Sequence, residues 1–313
     1  MRTYCTYFDS RFLARGIVML RSLRRFDPDS SICVLSFDDT CARILTDVFG
    51  SSIRITAIAK FHSENPEIAA LRSSRTAWAF YATHKPAFVG RVLAAEPAPG
   101  SVTFIDADMC LFFDPSAAYI EIGNAEIGLS PHRFPANNQW LAVYGAFNAG
   151  WIYWRAGAPA RQCLADWERN CVEWCENEVQ PGGRFMNQGY LSGWPEKYPR
   201  VHILRHPGVN LAPWNLDGHR LEDNTREIHV DGWPLICFHF SGLLRDASGD
   251  WFSTYPRPRQ FELVRNALYK PYLDDVESES LRLREVYGTE GTGGSVRSLK
   301  VEPSYVRVYA PQR

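Results

Sequence analysis

Val102-Thr103-Phe104-Ile105-Asp106-Ala107-Asp108 joins four strand-forming residues to two carboxylates. Val, Thr, Phe and Ile fit a pleated surface. An unbroken run of such residues is what a strand covered on both faces of a parallel sheet requires. Two carboxylates one residue apart at the carboxyl end of that strand stand where open α/β sheets bind their ligands. From one turn both side chains reach a single hard divalent cation, Mg²⁺ or Mn²⁺, which takes oxygen ligands and keeps positions open for phosphates.

Outward from this strand the pattern alternates. Residues 4–8 read as a first strand. Residues 12–23 read as a helix with Leu13, Ile17 and Leu20 on one face and Arg15, Arg21, Arg24 and Arg25 on a solvated one. Residues 32–37 form a second apolar run, Asp38-Asp39 caps a helix over 40–48, and 53–58 is a third strand. Residues 72–93 are helical, with Pro86 expected to kink or divide the helix, and 97–100 form a turn. Further on, 127–130 and 147–154 are strands. Residues 161–179 are an amphipathic helix that buries Leu164, Trp167, Cys171, Trp174 and Cys175 and stops at Pro181-Gly182-Gly183. Residues 194–234 are irregular and expected to shape the acceptor side of a pocket. Residues 235–240 are a buried strand and 259–287 are helical. This is the alternation of an α/β protein with a mostly parallel, Rossmann-like sheet and helices on both faces. It predicts one domain over 1–287, then a linker and basic tail over 288–313. In that tail Arg297, Lys300, Arg307 and Arg313 make at most a weak peripheral membrane contact, and an extra edge strand or a solvated tail is preferred.

Composition narrows the function. The 313 residues carry 34 Lys+Arg against 35 Asp+Glu, which excludes a bulk nucleic-acid partner. The start of the chain lacks the apolar core of a leader peptide, no apolar run is long enough to span a bilayer, and none of the eight cysteines forms a Cys-x-x-Cys pair. A cytoplasmic setting is therefore expected. The aromatic content is high, with 10 Trp. Trp151, Trp194 and Trp214 are candidates to stack on a sugar face, while Trp167 and Trp174 suit helix core.

Four further segments fall in a fixed order after the aspartate pair: Phe147-Asn148-Ala149-Gly150, Asn187-Gln188-Gly189-Tyr190, Pro213-Trp214-Asn215 and Phe238-His239-Phe240-Ser241-Gly242. His239 is a candidate third metal ligand through a neutral ring nitrogen. His132 and Arg133 are candidates to meet an acceptor or a phosphate, or else surface loop.

In this order of motifs the chain resembles the GT-A nucleotide-diphospho-sugar glycosyltransferases, most nearly glycosyltransferase family 8 and its bacterial relatives, over roughly residues 3–245. The resemblance implies a metal-dependent transfer of a sugar from a nucleotide-sugar donor, with a UDP-sugar favoured, to a glycan, lipid-linked sugar, small-molecule or protein acceptor, with retention. It implies that Thr6, Tyr7, Phe8 and Asp9 hold the nucleotide, that Asp106, Asp108 and His239 hold Mn²⁺ or Mg²⁺, and that Asn148, Gly150 and Gln188 border the donor sugar, with Gly242 closing the His-x-x-Gly turn. Arg75 and Lys85 are the candidates for a basic donor contact on the preceding helix. The family commonly carries Asp where this chain has Asn187, and Asn supplies neither nucleophile nor base. This leaves a nucleophile-free same-face route, another carboxylate such as Asp217, or impaired catalysis. Arg245 stands near where the family's Lys-Pro-Trp segment supplies positive charge to the diphosphate. The alternatives are a sugar-nucleotide-binding protein without turnover and a sugar-1-phosphate nucleotidyltransferase. The second lacks support, because no Gly-rich phosphate loop follows the first strand.

Overall fold

Fifteen strands and ten helices are named in chain order in the computed structural model, which describes residues 1–95, 100–224, 227–292 and 302–311. The first half holds β1 (Thr3–Phe8), α1 (Leu13–Phe26), β2 (Ser31–Ser36), α2 (Asp39–Phe49), β3 (Arg54–Ala57), α3 (Ile58–Glu64), α4 (Pro66–Ala70), α5 (Ala77–Leu93), β4 (Ser101–Ile105), β5 (Met109–Leu111), α6 (Ser116–Ile122), β6 (Ile127–Pro131) and β7 (Phe147–Arg155). Then come α7 (Ala158–Glu173), α8 (Trp194–Lys197), β8 (Val201–Ile203), β9 (Leu221–Asp223), β10 (Ile228–Val230), β11 (Trp233–Pro234), β12 (Cys237–His239), β13 (Leu243–Arg245), β14 (Trp251–Ser253), α9 (Phe261–Val264), α10 (Lys270–Tyr287) and β15 (Val306–Tyr309). The chain divides into two units. One is Met1–Tyr7, Asp29–Asp106 and Ala118–Arg205, and the other is Phe8–Pro28, Ala107–Ala117 and His206–Arg313.

The first unit is built on a seven-stranded sheet in the order β3-β2-β1-β4-β7-β6-β8. β2 and β3, β1 and β4, and β6 and β8 pair parallel, while β7 runs antiparallel to both of its neighbours. The apolar runs of the sequence are its central strands. Val102, Phe104 and Ile105 are fully buried, as are Ile152 and Trp154 of β7. The Asp38 side chain accepts from Cys41 N and caps α2, as its position after β2 leads one to expect. The sheet packs on a core in which Trp154 stacks on Trp167 at 5.8 Å and Trp194 meets Trp167 edge-on at 5.2 Å. Trp151 is also fully buried. Trp151 and Trp194 are therefore core, not sugar platforms, because a ring packed on all sides has no face to offer.

Two helices depart from their predicted form. α5 runs from Ala77 through Pro86 to Leu93 without division, and Arg72 lies before it in a 3-10 turn. α7 ends at Glu173, six residues before the predicted end, and Trp174 is already extended at φ −153°. The reason is Arg75. Its guanidinium donates to the carbonyls of Cys171 and Val172 at 2.6 Å each, so the last turn of α7 is satisfied by a side chain, not by more helix.

The second unit holds α1 and α10, the two-stranded ribbon of β5 and β12, the ribbon β9-β10-β11 and the sheet β13-β14-β15. Residues 235–240 supply a short strand, Cys237–His239, antiparallel to Met109–Leu111. α1 is buried almost all round from Leu13 to Leu20, so the predicted solvated face is wrong for Arg15. Arg21 pairs with the buried Glu279. The helix over 259–287 forms as α9, a π-turn over 265–269, and α10, which ends at Gly288 in the left-handed region. The tail contributes an edge strand, β15, paired with β14 and held by Arg307 on Asp250 at 2.7 Å. The predicted turn at 97–99, and Arg297, Lys300 and Arg313, lie outside the described residues. Among the described residues no helix is long and apolar enough to cross a membrane.

Candidate metal centre

Asp106 follows β4 directly and is the residue at which the chain passes from the first unit to the second. Asp108 is two residues on. Backbone connection therefore keeps the two carboxylates together, and Ala107 is small enough to turn between them. In the second unit β12 brings His239 beside Asp108. Phe240 N donates to Asp108 O at 2.8 Å, His239 pairs in register with Met109, and His239 Nε2 lies 3.1 Å from Asp108 Oδ1. Within the second unit Asp108 and His239 therefore present one carboxylate and one imidazole side by side.

The donor set fits a divalent ion. His239 Nδ1 faces Asn210 Oδ1 at 3.2 Å, and an amide oxygen accepts only. A ring with its proton on Nδ1 would present the Nε2 lone pair to an ion held at Asp108, the orientation a metal-ligating histidine requires. Trp214 packs edge-on against the imidazole at 5.2 Å and restricts the ring. Burial raises the Asp108 carboxyl, but a protonated His239 ring donating to it, helped by the Arg15 charge, holds it below its ordinary range.

The other motif residues of the first unit form one hydrogen-bonded chain that ends on Asp106. Gln188 Nε2 donates to Tyr144 O at 3.0 Å. Its Oε1 accepts from Asn148 Nδ2 at 2.9 Å and Ala149 N at 3.0 Å. Asn148 Oδ1 accepts from Gly150 N at 2.8 Å. Gly150 O accepts from Asp106 N at 2.9 Å, and Ala149 O accepts from Lys85 Nζ at 2.9 Å. The Lys85 ammonium then reaches Asp106 Oδ1 at 2.8 Å and lies 4.1 Å from the centre of the Phe104 ring. The segment Phe147-Asn148-Ala149-Gly150 thus aims both the lysine and the first aspartate. Of the two basic candidates on the preceding segment, Lys85 is at the carboxylates. Arg75 is not available to a ligand, because its guanidinium is buried on Thr83, Cys171 and Val172.

Asn187 is explained by Pro86. A proline in a helix has no N–H for the carbonyl four residues back, which here is Ala82 O. Asn187 Nδ2 donates to that carbonyl at 2.9 Å, and Trp167 Nε1 pins the Asn187 carbonyl at 2.8 Å. An ionised aspartate could not make the first bond. The amide is therefore committed to α5.

The remaining candidates fall as follows. Thr6 and Tyr7 end β1 beside β4, through the pairing of Cys5 with Phe104. Thr6 Oγ1 is buried with no hydrogen-bond partner among the described residues. The Tyr7 ring packs on Phe37 and Phe104. In the second unit Phe8 covers Gly16, and Asp9 accepts from Arg11 N and pairs with its guanidinium. Gly242 turns at φ +71°, and a Cβ there would collide with Thr254, so glycine is required by both conformation and space. Arg245 makes a bidentate pair with Glu277 at 2.9 and 3.0 Å, and Trp251 Nε1 donates to the same carboxylate at 2.6 Å. Its charge is therefore engaged by α10. Asp217 Oδ1 accepts from Arg259 N at 2.8 Å, in a cavity lined by Leu216, Arg220 and Gln260. His132 and Arg133 are structural: His132 Nδ1 faces Gly145 O at 2.8 Å and Arg133 donates to Leu204 O at 2.8 Å. Two residues outside the motifs bear on the centre: Asn210 meets the His239 ring, and the Arg15 charge helps lower the Asp108 carboxyl. Asn210 sits in an irregular stretch with no periodicity to mark it, and Arg15 was assigned to a solvated face.

The fold is that of solved GT-A-type glycosyltransferases. The galactosyltransferase LgtC, solved in complex with donor and acceptor sugar analogs, superimposes with a TM-score of 0.55 over 88% of this chain and 95% of that one, at 16% identity. An active-site mutant of LgtC gives the same score at 14% identity. No family model matches the chain. By sequence the chain belongs to the family of YfnF, an uncharacterized protein of Bacillus subtilis (strain 168), with 30% identity over 248 residues, 76% of this chain and 80% of YfnF. YfnD of the same organism is 26% identical over 259 residues, 82% of each chain.

Proposed function

We propose that the chain is a metal-dependent glycosyltransferase that takes a sugar from a nucleotide-diphosphate donor, with a UDP-sugar favoured, and gives it to an acceptor hydroxyl with retention. The observation that carries this reading is the Asp106-x-Asp108 carboxylate pair at the end of β4, with Asp106 aimed by a hydrogen-bond chain from Gln188 and Asp108 held beside His239. Asp106, Asp108 and His239 would hold Mn²⁺ or Mg²⁺, which supplies charge stabilisation to the leaving diphosphate. The protein's own part is preorganisation. Lys85 keeps Asp106 in one orientation and places a fixed positive charge beside the diphosphate. Asn148 and Gln188 hold each other and the backbone of Ala149 and Gly150, so the strand end that borders the donor sugar is fixed without reorganising. With Asn187 committed to Ala82, a same-face route needing no protein nucleophile at 187 is the reading most consistent with the site, and oxocarbenium character at the anomeric carbon is met by fixed polar oxygens. That the solved neighbour LgtC was crystallised with donor and acceptor sugar analogs supports a two-substrate site.

The test is a screen of UDP-, GDP- and dTDP-sugars with Mn²⁺, reading hydrolysis, transfer and binding. Transfer or slow hydrolysis of one donor is expected, with NMR of the product showing a retained anomer. Binding without turnover would instead make the protein a sugar-nucleotide binder, and no binding of any donor with metal present would refute the reading.

A further inference from the structure

A second set of polar groups converges in the second unit, and none of them belongs to the metal centre. It starts from a hairpin. β10 and β11 are joined by Asp231-Gly232, with φ of +51° and +81°, the Asp-Gly turn whose twist matches that of paired strands. The turn fixes the Asp231 carboxylate. Its Oδ1 accepts from Arg220 N at 2.8 Å, and its Oδ2 accepts from His219 Nδ1 at 2.6 Å. An ionised carboxylate only accepts, so Nδ1 carries a proton. The other ring nitrogen, Nε2, is buried without a hydrogen-bond partner among the described residues, in a side chain that is 9% exposed. A buried polar atom left in that state is costly and rare in a finished fold. His219 borders a cavity of about 210 Å³. Asp231 is not in its wall, so the ring gives the cavity the edge opposite Nδ1.

We propose that this cavity is a binding site for one neutral sugar ring, separate from the metal centre. Asp217, Arg220 and Arg259 complete its polar wall, and Leu216, Leu221 and Val264 give it apolar surface. The volume is below the roughly 300 Å³ at which pockets for drug-sized ligands begin, so the occupant is a single small ring. Charge decides its class. Arg220 is taken by Glu222 at 3.1 Å, and Asp217 balances Arg259, so the wall has no surplus positive charge for a phosphate. Two guanidinium groups exclude a metal ion. Nε2 donates or accepts according to the protonation of the ring, and a hydroxyl does both, so His219 meets a hydroxyl in either form. The Asp217 carboxylate accepts from hydroxyls, the Arg259 guanidinium donates to them, and the apolar residues cover the C–H face of the ring. The site needs neither ion nor nucleotide, so it does not rest on the metal-centre reading.

The experiment is saturation-transfer NMR and calorimetry on the full chain, with EDTA and without nucleotide. The probes are glucose, galactose, mannose, N-acetylglucosamine and rhamnose, with inorganic phosphate as the anionic comparison. At least one sugar is expected to bind with a Kd of about 0.1–10 mM, and the His219 Nε2 resonance in a long-range proton–nitrogen spectrum is expected to move as it does. His219→Phe, shown folded by circular dichroism and melting, is expected to weaken that sugar by at least about tenfold, and Arg259→Met by at least about threefold. If His219→Phe does not fold, Arg259→Met and the Nε2 shift carry the test. No binding of any sugar up to about 50 mM would leave Nε2 to an ordered water and overturn the inference. So would an affinity unchanged in the folded variants, a still Nε2 resonance, or phosphate binding more tightly than every sugar. Displacement of the sugar by UDP with Mn²⁺ would place it at the metal centre and count equally against the cavity. Failure of UDP to bind at all would bear on the metal centre alone, because the sugar measurements use neither ion nor nucleotide.

Discussion

Replacing Asn187 by aspartate restores the residue that the resembled family carries, and it should damage this protein. Asn187 is 5% exposed, and its amide is the donor to Ala82 O, the carbonyl that Pro86 leaves without a helical partner. Asn187→Ala removes the donor and leaves a buried carbonyl unsatisfied, at a cost of about 1–3 kcal/mol. Asn187→Asp adds a charge directed at a carbonyl oxygen. That carboxyl either remains ionised and desolvated or takes a proton to donate, and each unit by which its folded pKa exceeds its unfolded one costs about 1.4 kcal/mol at neutral pH. The sum is about 2–4 kcal/mol at pH 7. The sign with pH follows: a raised carboxyl is penalised fully above its folded pKa and recovers as pH falls toward the unfolded value, so the deficit should shrink on acidification. Urea unfolding measures this, and Pro86→Ala supplies the control. The alanine N–H restores the helical bond to Ala82 O, so Asn187→Ala should cost about 1 kcal/mol less in that background. An Asn187→Asp variant as stable as wild type at pH 7, an Asn187→Ala cost independent of residue 86, or a large gain in turnover for Asn187→Asp would each refute the argument.

Other outcomes follow from the same geometry. Asp108→Asn or Asp106→Asn should abolish metal-dependent UDP binding by calorimetry, and unchanged affinity in either would remove the metal assignment. Arg245→Gln should lower stability by about 1–3 kcal/mol, because it strands the Glu277 carboxylate, while UDP affinity in the presence of Mn²⁺ changes by less than about threefold; a large loss of affinity with stability intact would return Arg245 to the donor site. His84 is buried among Phe37, Phe61 and Phe80, faces Phe80 O and His62, and has its pKa pulled down to about 3 by burial. The unfolded chain takes up a proton near pH 6.5 that the folded one refuses, so this group's contribution is present above that pH and lost below it. Lowering the pH from about 7.5 to about 5.5 should cost about 1.4 kcal/mol through His84, and His84→Phe should flatten that limb in chemical unfolding. An unaltered limb would count against a neutral His84.

By itself the sequence determined the class of architecture and the turn that matters. Apolar runs such as 102–105 are legible because a strand covered on both faces needs every side chain apolar, and the carboxylate pair is legible because two residues two apart stay together whatever the rest of the chain does. Asp38 as a cap and Gly288 as a stop are local in the same way. What only tertiary structure decided is which polar groups are spent on the fold and which remain for a ligand. Arg75 and Arg245 read as ligand contacts and are consumed by a helix end and by Glu277. Arg15 read as solvated, and it stands buried with its guanidinium on Leu243 O. Asn187 read as standing where the resembled family commonly carries aspartate, and it completes a helix 105 residues away in sequence. The physical reason is common to all four. A buried donor or charge must find a partner, the partner is chosen by distance in space, and that distance leaves no periodicity or spacing in the sequence.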